Sequence, residues 1–228
     1  MRRLQTWVFG MVWLGLGILL LGCASLPFIG TSNTPVPSDK LVYDAPVSLT
    51  IKTGALLPGT AISYSGKSAT GAANVLITGL LAPKQIGDTV DWEGAPVPNV
   101  KVRLNLRVAA FDEQSVTLVG TGHVEIPNTK VQPGGTPGTA LLDLNAPVSF
   151  SLKNGETIPG TLVTYGGSST NGAQFLGVEG YQYRKQFDSL QYVARLTPQV
   201  YLKFDLRVLS FSESGAVVGG TVNIRIEK

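Results

Sequence analysis

Cysteine occurs once in this chain of 228 residues, at Cys23, and histidine once, at His123. A single thiol excludes an internal disulfide framework and a zinc site built from several thiolates. A single imidazole excludes multi-histidine metal centres and leaves little scope for general-base chemistry by histidine. No metal and no cofactor are therefore expected. Charge is scarce as well: 14% of residues are Asp, Glu, Lys or Arg, against about 25% in an average soluble domain. The net charge is only +3, and no clustered basic face accompanies it, so no nucleic-acid partner is expected. Outside the N-terminus no window holds a sustained 3.6-residue apolar period, which argues against helices. The 27 Gly and 14 Pro follow no triplet period, which excludes a collagen-like chain.

The N-terminus is distinctive. Arg2 and Arg3 precede an apolar run from Trp7 to Leu21, interrupted only by glycines, and the run ends in Leu20-Leu21-Gly22-Cys23. This run is short of the ~20 residues that a spanning helix needs, which favours a secretion signal over a membrane anchor. Leu three positions before a Cys, with a small residue directly before it, resembles the lipobox of bacterial lipoproteins. That resemblance implies cleavage before Cys23, a thioether-linked diacylglycerol on its sulfur, and acylation of the new N-terminus. Several acyl chains on one residue supply the multiple anchors that stable membrane attachment requires. The expected organisation is a signal peptide over 1–22 and a lipidated Cys with a Pro-rich tether over 23–40. Everything after residue 23 is then extracytoplasmic. Loss of Arg2 and Arg3 with the leader removes two of the three net positive charges.

Beyond residue 40 the chain repeats itself. Ala45-Pro46-Val47-Ser48 returns as Ala146-Pro147-Val148-Ser149, and Pro58-Gly59-Thr60 as Pro159-Gly160-Thr161, with Tyr64 matching Tyr165. The match runs without a gap to residue 79; one residue is then lost. From there Leu106-Arg107-Val108 matches Leu206-Arg207-Val208, and Gly120-Thr121 matches Gly220-Thr221. Two β domains are expected, over 41–127 and 141–228, joined by a Pro/Gly linker over 128–140. Each copy carries a full set of strand and turn signals, so each is expected to fold by itself.

Within each copy the period is two. Val100, Val102, Leu104, Leu106 and Val108 alternate with Lys101, Arg103, Asn105 and Arg107, the signature of a strand with one buried face. A turn at 112–115 leads to a second alternating strand over 116–126, and shorter strands are expected near 47–52, 60–65, 73–80 and 88–93. The fold class is therefore all-β: two tandem, homologous, six-stranded antiparallel barrel or sandwich domains. The final strands are long, and inward Gly120 and Gly220 leave room for bending, which favours a closed barrel.

Candidate sites are few. His123 falls on the polar face beside Glu125, and its counterpart is Asn223, so a solvated strand residue is expected rather than a catalytic one. Asp88, Asp91 and Glu93 gather three carboxylates within six residues, but the last two are outward neighbours on a strand. Tyr64 and Tyr165 have the inward phase and are expected to be core aromatics whose hydroxyls reach a rim partner. Trp92 and Tyr192 share that phase. Lys84 with Asp88, and Arg184 with Asp188, have the charges for loop ion pairs. Gly66-Lys67-Ser68 lacks the upstream glycine spacing of a phosphate loop and is expected to be a turn.

The copies differ most over 181–187. The second has Tyr181, Tyr183, Arg184, Lys185 and Phe187 where the first has Leu81, Pro83, Lys84, Gln85 and Gly87. Tyr and Arg are preferred recognition anchors, so this hairpin is the expected partner-binding site. The sequence thus suggests a membrane-tethered, non-catalytic binding or structural module of the cell envelope, with a glycan or protein partner. A carboxylate-based hydrolase of envelope glycans or peptides, and a subunit of a larger surface complex, are the alternatives.

Overall fold

The structure is a computed structural model that describes residues 40–228. The expected signal peptide, Cys23 and the tether up to residue 39 lie outside the described residues. The described chain is all-β. The first repeat contains β1 (Lys40–Lys52), β2 (Ile62–Lys67), β3 (Ala73–Ile77), β4 (Leu80–Lys84), β5 (Thr89–Val97), β6 (Val100–Phe111) and β7 (Ser115–Pro127). A two-residue strand, β8 (Gln132–Pro133), interrupts the linker. The second repeat contains β9 (Ala140–Lys153), β10 (Thr164–Ser169), β11 (Gly172–Leu176), β12 (Tyr183–Arg184), β13 (Ser189–Thr197), β14 (Val200–Phe211) and β15 (Gly215–Glu227).

Seven strands per repeat replace the expected six. The segment expected as one strand over 73–80 is cut at Thr78-Gly79, where both residues have positive φ, 50° and 80°. Two consecutive positive φ values are what a tight two-residue hairpin demands. The lost residue also falls earlier than the letters suggest. In both repeats Ser68 or Ser169 starts the turn before the third strand, and Val75 faces Tyr64 as Phe175 faces Tyr165. The deletion therefore lies in the turn near residue 70, where length is cheapest to change.

Each repeat is a pair of antiparallel sheets rather than a closed barrel. Long strands form the order β1-β7-β6-β5, and short strands form β2-β3-β4; the second repeat forms β13-β14-β15-β9 and β10-β11-β12. Among the described residues no ladder joins β5 to β1. The inward glycines serve close approach instead of closure. A Cβ at Gly120 would stand 2.0 Å from the Asn105 carbonyl oxygen, and one at Gly220 would stand 2.2 Å from that of Asp205. Register shifts at Val108/Ala110 and Val208/Ser210 then coil the long strands over the short sheet.

The alternation read from the sequence is borne out. Val100, Val102, Leu104 and Leu106 are buried on β6, as are Val200, Leu202, Phe204 and Leu206 on β14. A short bond locks each short sheet to its long one: the Tyr64 hydroxyl donates to the Asp112 carbonyl at 2.5 Å, and Tyr165 donates to Ser212 at 2.5 Å. Both rings are buried, so the expectation of core aromatics with rim partners holds.

The expected pair of separate cores is instead one. Buried side chains of both repeats form a continuous cluster, and β1 packs against β9 without bonding to it. The contact is reciprocal. A Cβ at Gly59 would lie 3.3 Å from Leu141 and 3.5 Å from Leu142, while one at Gly160 would lie 3.1 Å from Leu41 and from the Tyr43 hydroxyl. Equivalent turns thus cap the start of the other repeat's first strand. Leu41, Tyr43, Ala45, Leu142, Leu144 and Ala146 are buried, and each leucine among them contributes about 1.5–3 kcal/mol by leaving water. Tyr43 buries its hydroxyl without a hydrogen-bond partner, and burial pushes its phenol pKa up. The linker is not a free connection either. Gln132 and Pro133 pair with Arg195 and Ala194 along the outer edge of β13.

Candidate functional site

The hairpin of the second repeat is assembled on the same scaffold as its counterpart. In both, an aspartate closes the turn: Asp88 Oδ2 accepts the Gln85 N–H at 2.7 Å, and Asp188 Oδ2 accepts the Lys185 N–H at 2.7 Å. The residue before it donates its N–H to the sheet, Gly87 to Val108 at 2.8 Å and Phe187 to Val208 at 2.7 Å. An arginine then donates to that residue's own carbonyl, Arg107 to Gly87 at 2.9 Å and Arg207 to Phe187 at 3.0 Å. The expected Lys84–Asp88 and Arg184–Asp188 ion pairs do not form; each carboxylate instead turns one oxygen onto the turn backbone.

On this shared frame the side chains diverge. Tyr181 and Tyr183 stand with ring centroids 5.5 Å apart at 53°, a tilted aromatic contact. Arg184 reaches back, its Nε donating to the Ser189 carbonyl at 3.0 Å and its Nη1 to the Tyr181 and Tyr183 carbonyls. These bonds fix the guanidinium and leave its second terminal nitrogen to other acceptors. Tyr181, Tyr183, Arg184 and Lys185, with Asp188, line an open depression of about 510 Å³. Thr170, Asn171 and Ser189 complete it. Sequence comparison misses those three because they are ordinary turn residues, brought in by the β10–β11 turn and the start of β13.

Phe187 does not line that depression, but it is unusual in its own right. It adopts φ 69°, the left-handed region, at the position where the first repeat has Gly87 at φ 92°. A bulky residue there costs about 1–2 kcal/mol relative to glycine. The residue is 62% exposed, so burial does not offset the strain. Four of the five expected contact residues therefore share one concave surface, and the fifth is a strained, exposed aromatic on the same hairpin.

The other candidates resolve differently. His123 sits on the outer face with Nδ1 2.6 Å from Asp44 and Nε2 3.3 Å from Glu125. Lys40 holds Glu125 from the other side at 2.7 Å, and these two partners keep the Glu125 carboxyl below its usual pKa. Asn223 does the equivalent bridging in the second repeat, donating to Asp143 and, at 3.1 Å, to Asn145. Position 123 is thus a cross-strand clasp. The three carboxylates do not converge. Asp88 caps its turn, Asp91 faces Asn105 across the strands, and Glu93 pairs with Arg103 at 2.9 Å. That hydrogen bond lowers the pKa of Glu93. Trp92 and Tyr192 are half-buried, and the Tyr192 hydroxyl accepts the Leu162 N–H at 3.2 Å. The Ser68 hydroxyl accepts the Ala72 N–H and opens a turn, but Gly66 and Lys67 end β2, so the turn expected over Gly66-Lys67-Ser68 starts only at its last residue.

The described residues thus offer a sculpted polar–aromatic depression on the second repeat and plain aliphatic side chains at the equivalent place on the first. No known protein family, curated protein or solved structure matches this chain.

Proposed function

We propose that this protein is a lipid-anchored, extracytoplasmic binding module of the cell envelope. Cys23 carries the anchor, and the hairpin of the second repeat holds an envelope glycan or protein partner. One observation carries this reading: Tyr181, Tyr183, Arg184 and Lys185 form one depression on a hairpin whose scaffold is built equally well in the first repeat from Leu81, Pro83 and Lys84. Folding does not require the aromatic version. Two tyrosines present large, rigid area at modest entropic cost, and an immobilised guanidinium supplies oriented donors.

Two measurements test the reading. Mass spectrometry of membrane-extracted protein is expected to show an acylated N-terminal Cys23; an intact Met1 would contradict the anchor. Capture from native membranes with tagged mature protein is expected to fall about thirtyfold for Y181A/Y183A, the loss typical of an interface anchor worth about 2 kcal/mol. The Lys84→Ala protein serves as the control in the first repeat. Because Arg184 braces the hairpin, the tyrosine pair is the cleaner variant. Unchanged capture would reduce those side chains to local packing.

A further inference from the structure

A second depression, of about 590 Å³, lies where the two repeats meet. Its walls come from equivalent places in the two copies. Pro98 and Asn99 form the β5–β6 turn, and Pro198 and Gln199 form the β13–β14 turn. The linker leaving β7 supplies Lys130, and β13 supplies Arg195. None of its lining residues is acidic. Two carboxylates belong to this end of the sheets. Glu125 is held by Lys40 at 2.7 Å, and Glu227 has one carboxylate oxygen buried; neither lines the depression.

Arg195 is set for anion binding. Its Nε donates to the Thr197 carbonyl at 3.3 Å and its Nη2 to that of Pro198 at 3.0 Å, and the guanidinium lies 5.7 Å from the Tyr201 ring centroid. Orientation by two carbonyls and an aromatic face lowers the entropy lost when the remaining nitrogen meets an oxyanion. The first repeat has Ala95 and Lys101 where the second has Arg195 and Tyr201, so duplication alone does not account for this arrangement. Prolines and Leu196 give the rest of the wall an apolar character.

Position identifies the occupant. Pro127, which lines the depression, is the register partner of Lys40, so the chain coming from Cys23 enters the fold beside this wall. The Pro-containing tether over residues 24–39 reaches about 50 Å, so the Lys40 end of the molecule stays within that distance of whatever Cys23 is anchored in and can touch it. We propose that this junction depression binds the phosphate headgroup of an anionic phospholipid in the anchoring membrane, with Arg195 and Lys130 on the phosphate and the prolines against its glycerol carbons. The inference rests on the reading of Cys23 as the lipid anchor.

The test uses mature protein with Cys23→Ser, so that no acyl chain contributes. Sedimentation with vesicles of phosphatidylcholine alone is compared with vesicles that also contain phosphatidylglycerol. Binding is expected only to the latter. It is expected to weaken about fivefold with Lys130→Gln and again with Arg195→Gln, the effect of one basic residue at an anionic surface. Lys67→Gln, on the short sheet of the first repeat, is expected to leave binding unchanged. Arg195 also braces its turn, so the exposed Lys130 gives the decisive variant, with a thermal melt confirming its fold. Equal binding to both vesicle types, or indifference to Lys130→Gln, overturns the inference. Competition by inorganic phosphate at equal molarity to the lipid would assign the site to free phosphate and overturn the headgroup. The N-terminal mass of native protein separates the two failures. Acylated Cys23 without phosphatidylglycerol dependence defeats the headgroup alone, whereas unmodified Cys23 defeats the anchor and with it the choice of occupant.

Discussion

The two repeats are built on the same turns, bulges and tyrosine bonds, yet they present different chemistry at equivalent places. Asp88 and Asp188 cap the same loop, and Tyr64 and Tyr165 fasten the same sheets. At the hairpin, aliphatic Leu80 and Leu81 face solvent in one copy, and Tyr181 and Phe187 do so in the other. On the outer face, His123 bridges β1 in one copy where Asn223 bridges β9 in the other. Differences concentrate where backbone bonds already fix the frame. A frame secured by main-chain acceptors and buried rings tolerates free choice of the side chains mounted on it, and the proposed binding site draws on that choice.

The comparison breaks most severely if the copies are parted. Residues 41–127 and 140–228 expressed separately expose the β1 and β9 faces, including Leu41, Tyr43, Leu142 and Leu144. Neither fragment is expected to unfold cooperatively as a monomer, and mixing the two is expected to restore a single transition by circular dichroism. Two independent, reversible melts would show that each short sheet suffices as a cover. Next in size is Gly120→Val. Its Cβ meets the Asn105 carbonyl, so a loss of about 3 kcal/mol or more is expected in denaturant unfolding. Gly220→Val is expected to cost about the same, since its clash is with Asp205 in the same place.

Tyr64→Phe and Tyr165→Phe probe the shared bond. Each leaves a carbonyl without its hydroxyl donor and is expected to cost about 1–2 kcal/mol, nearly equally in the two repeats. A large inequality would show that the fastening is not equivalent. Phe187→Gly works in the opposite direction. Relief of the left-handed strain is expected to raise stability by about 1 kcal/mol while partner capture weakens. Gain without loss would remove Phe187 from the site.

The smallest expected effect concerns pH. The folded-state pKa of Glu125 is depressed by Lys40 and His123, so its contribution is present above the ordinary carboxylate range and fades as pH falls through it. Asn223 carries no such dependence. The protection of β1 amides relative to their intrinsic exchange rate is therefore expected to fall on acidification before that of β9 amides. Protection lost equally on both strands would show that the Glu125 clasp does not hold the edge.

Much of this fold is legible in the letters because period-two alternation reports a sheet with one covered face, and duplicated turns report their own geometry. The hairpin over 181–187 is legible for a different reason: its aromatics violate a pattern that the other copy states. Three features are not legible. β4 carries exposed Leu80 and Leu81 and an internal Pro83, so it shows neither alternation nor strand propensity. The face of β1 that meets β9 has the same alternation as the face that meets its own short sheet, and periodicity carries no label for which layer covers it. Charge complementarity suggests Arg184–Asp188, but a backbone N–H three residues away competes for the carboxylate and is held there by the turn itself.

The packing of β1 on β9 also governs the order of events in folding. β1 is made first, its ladder partner β7 begins at Ser115, and the strand that covers it begins at Ala140. Contacts of such long sequence separation form slowly, because the intervening chain must be closed before any of them forms. The earliest part of the fold thus waits for the latest, and a chain emerging N-terminus first stays pliable until nearly all of it has appeared.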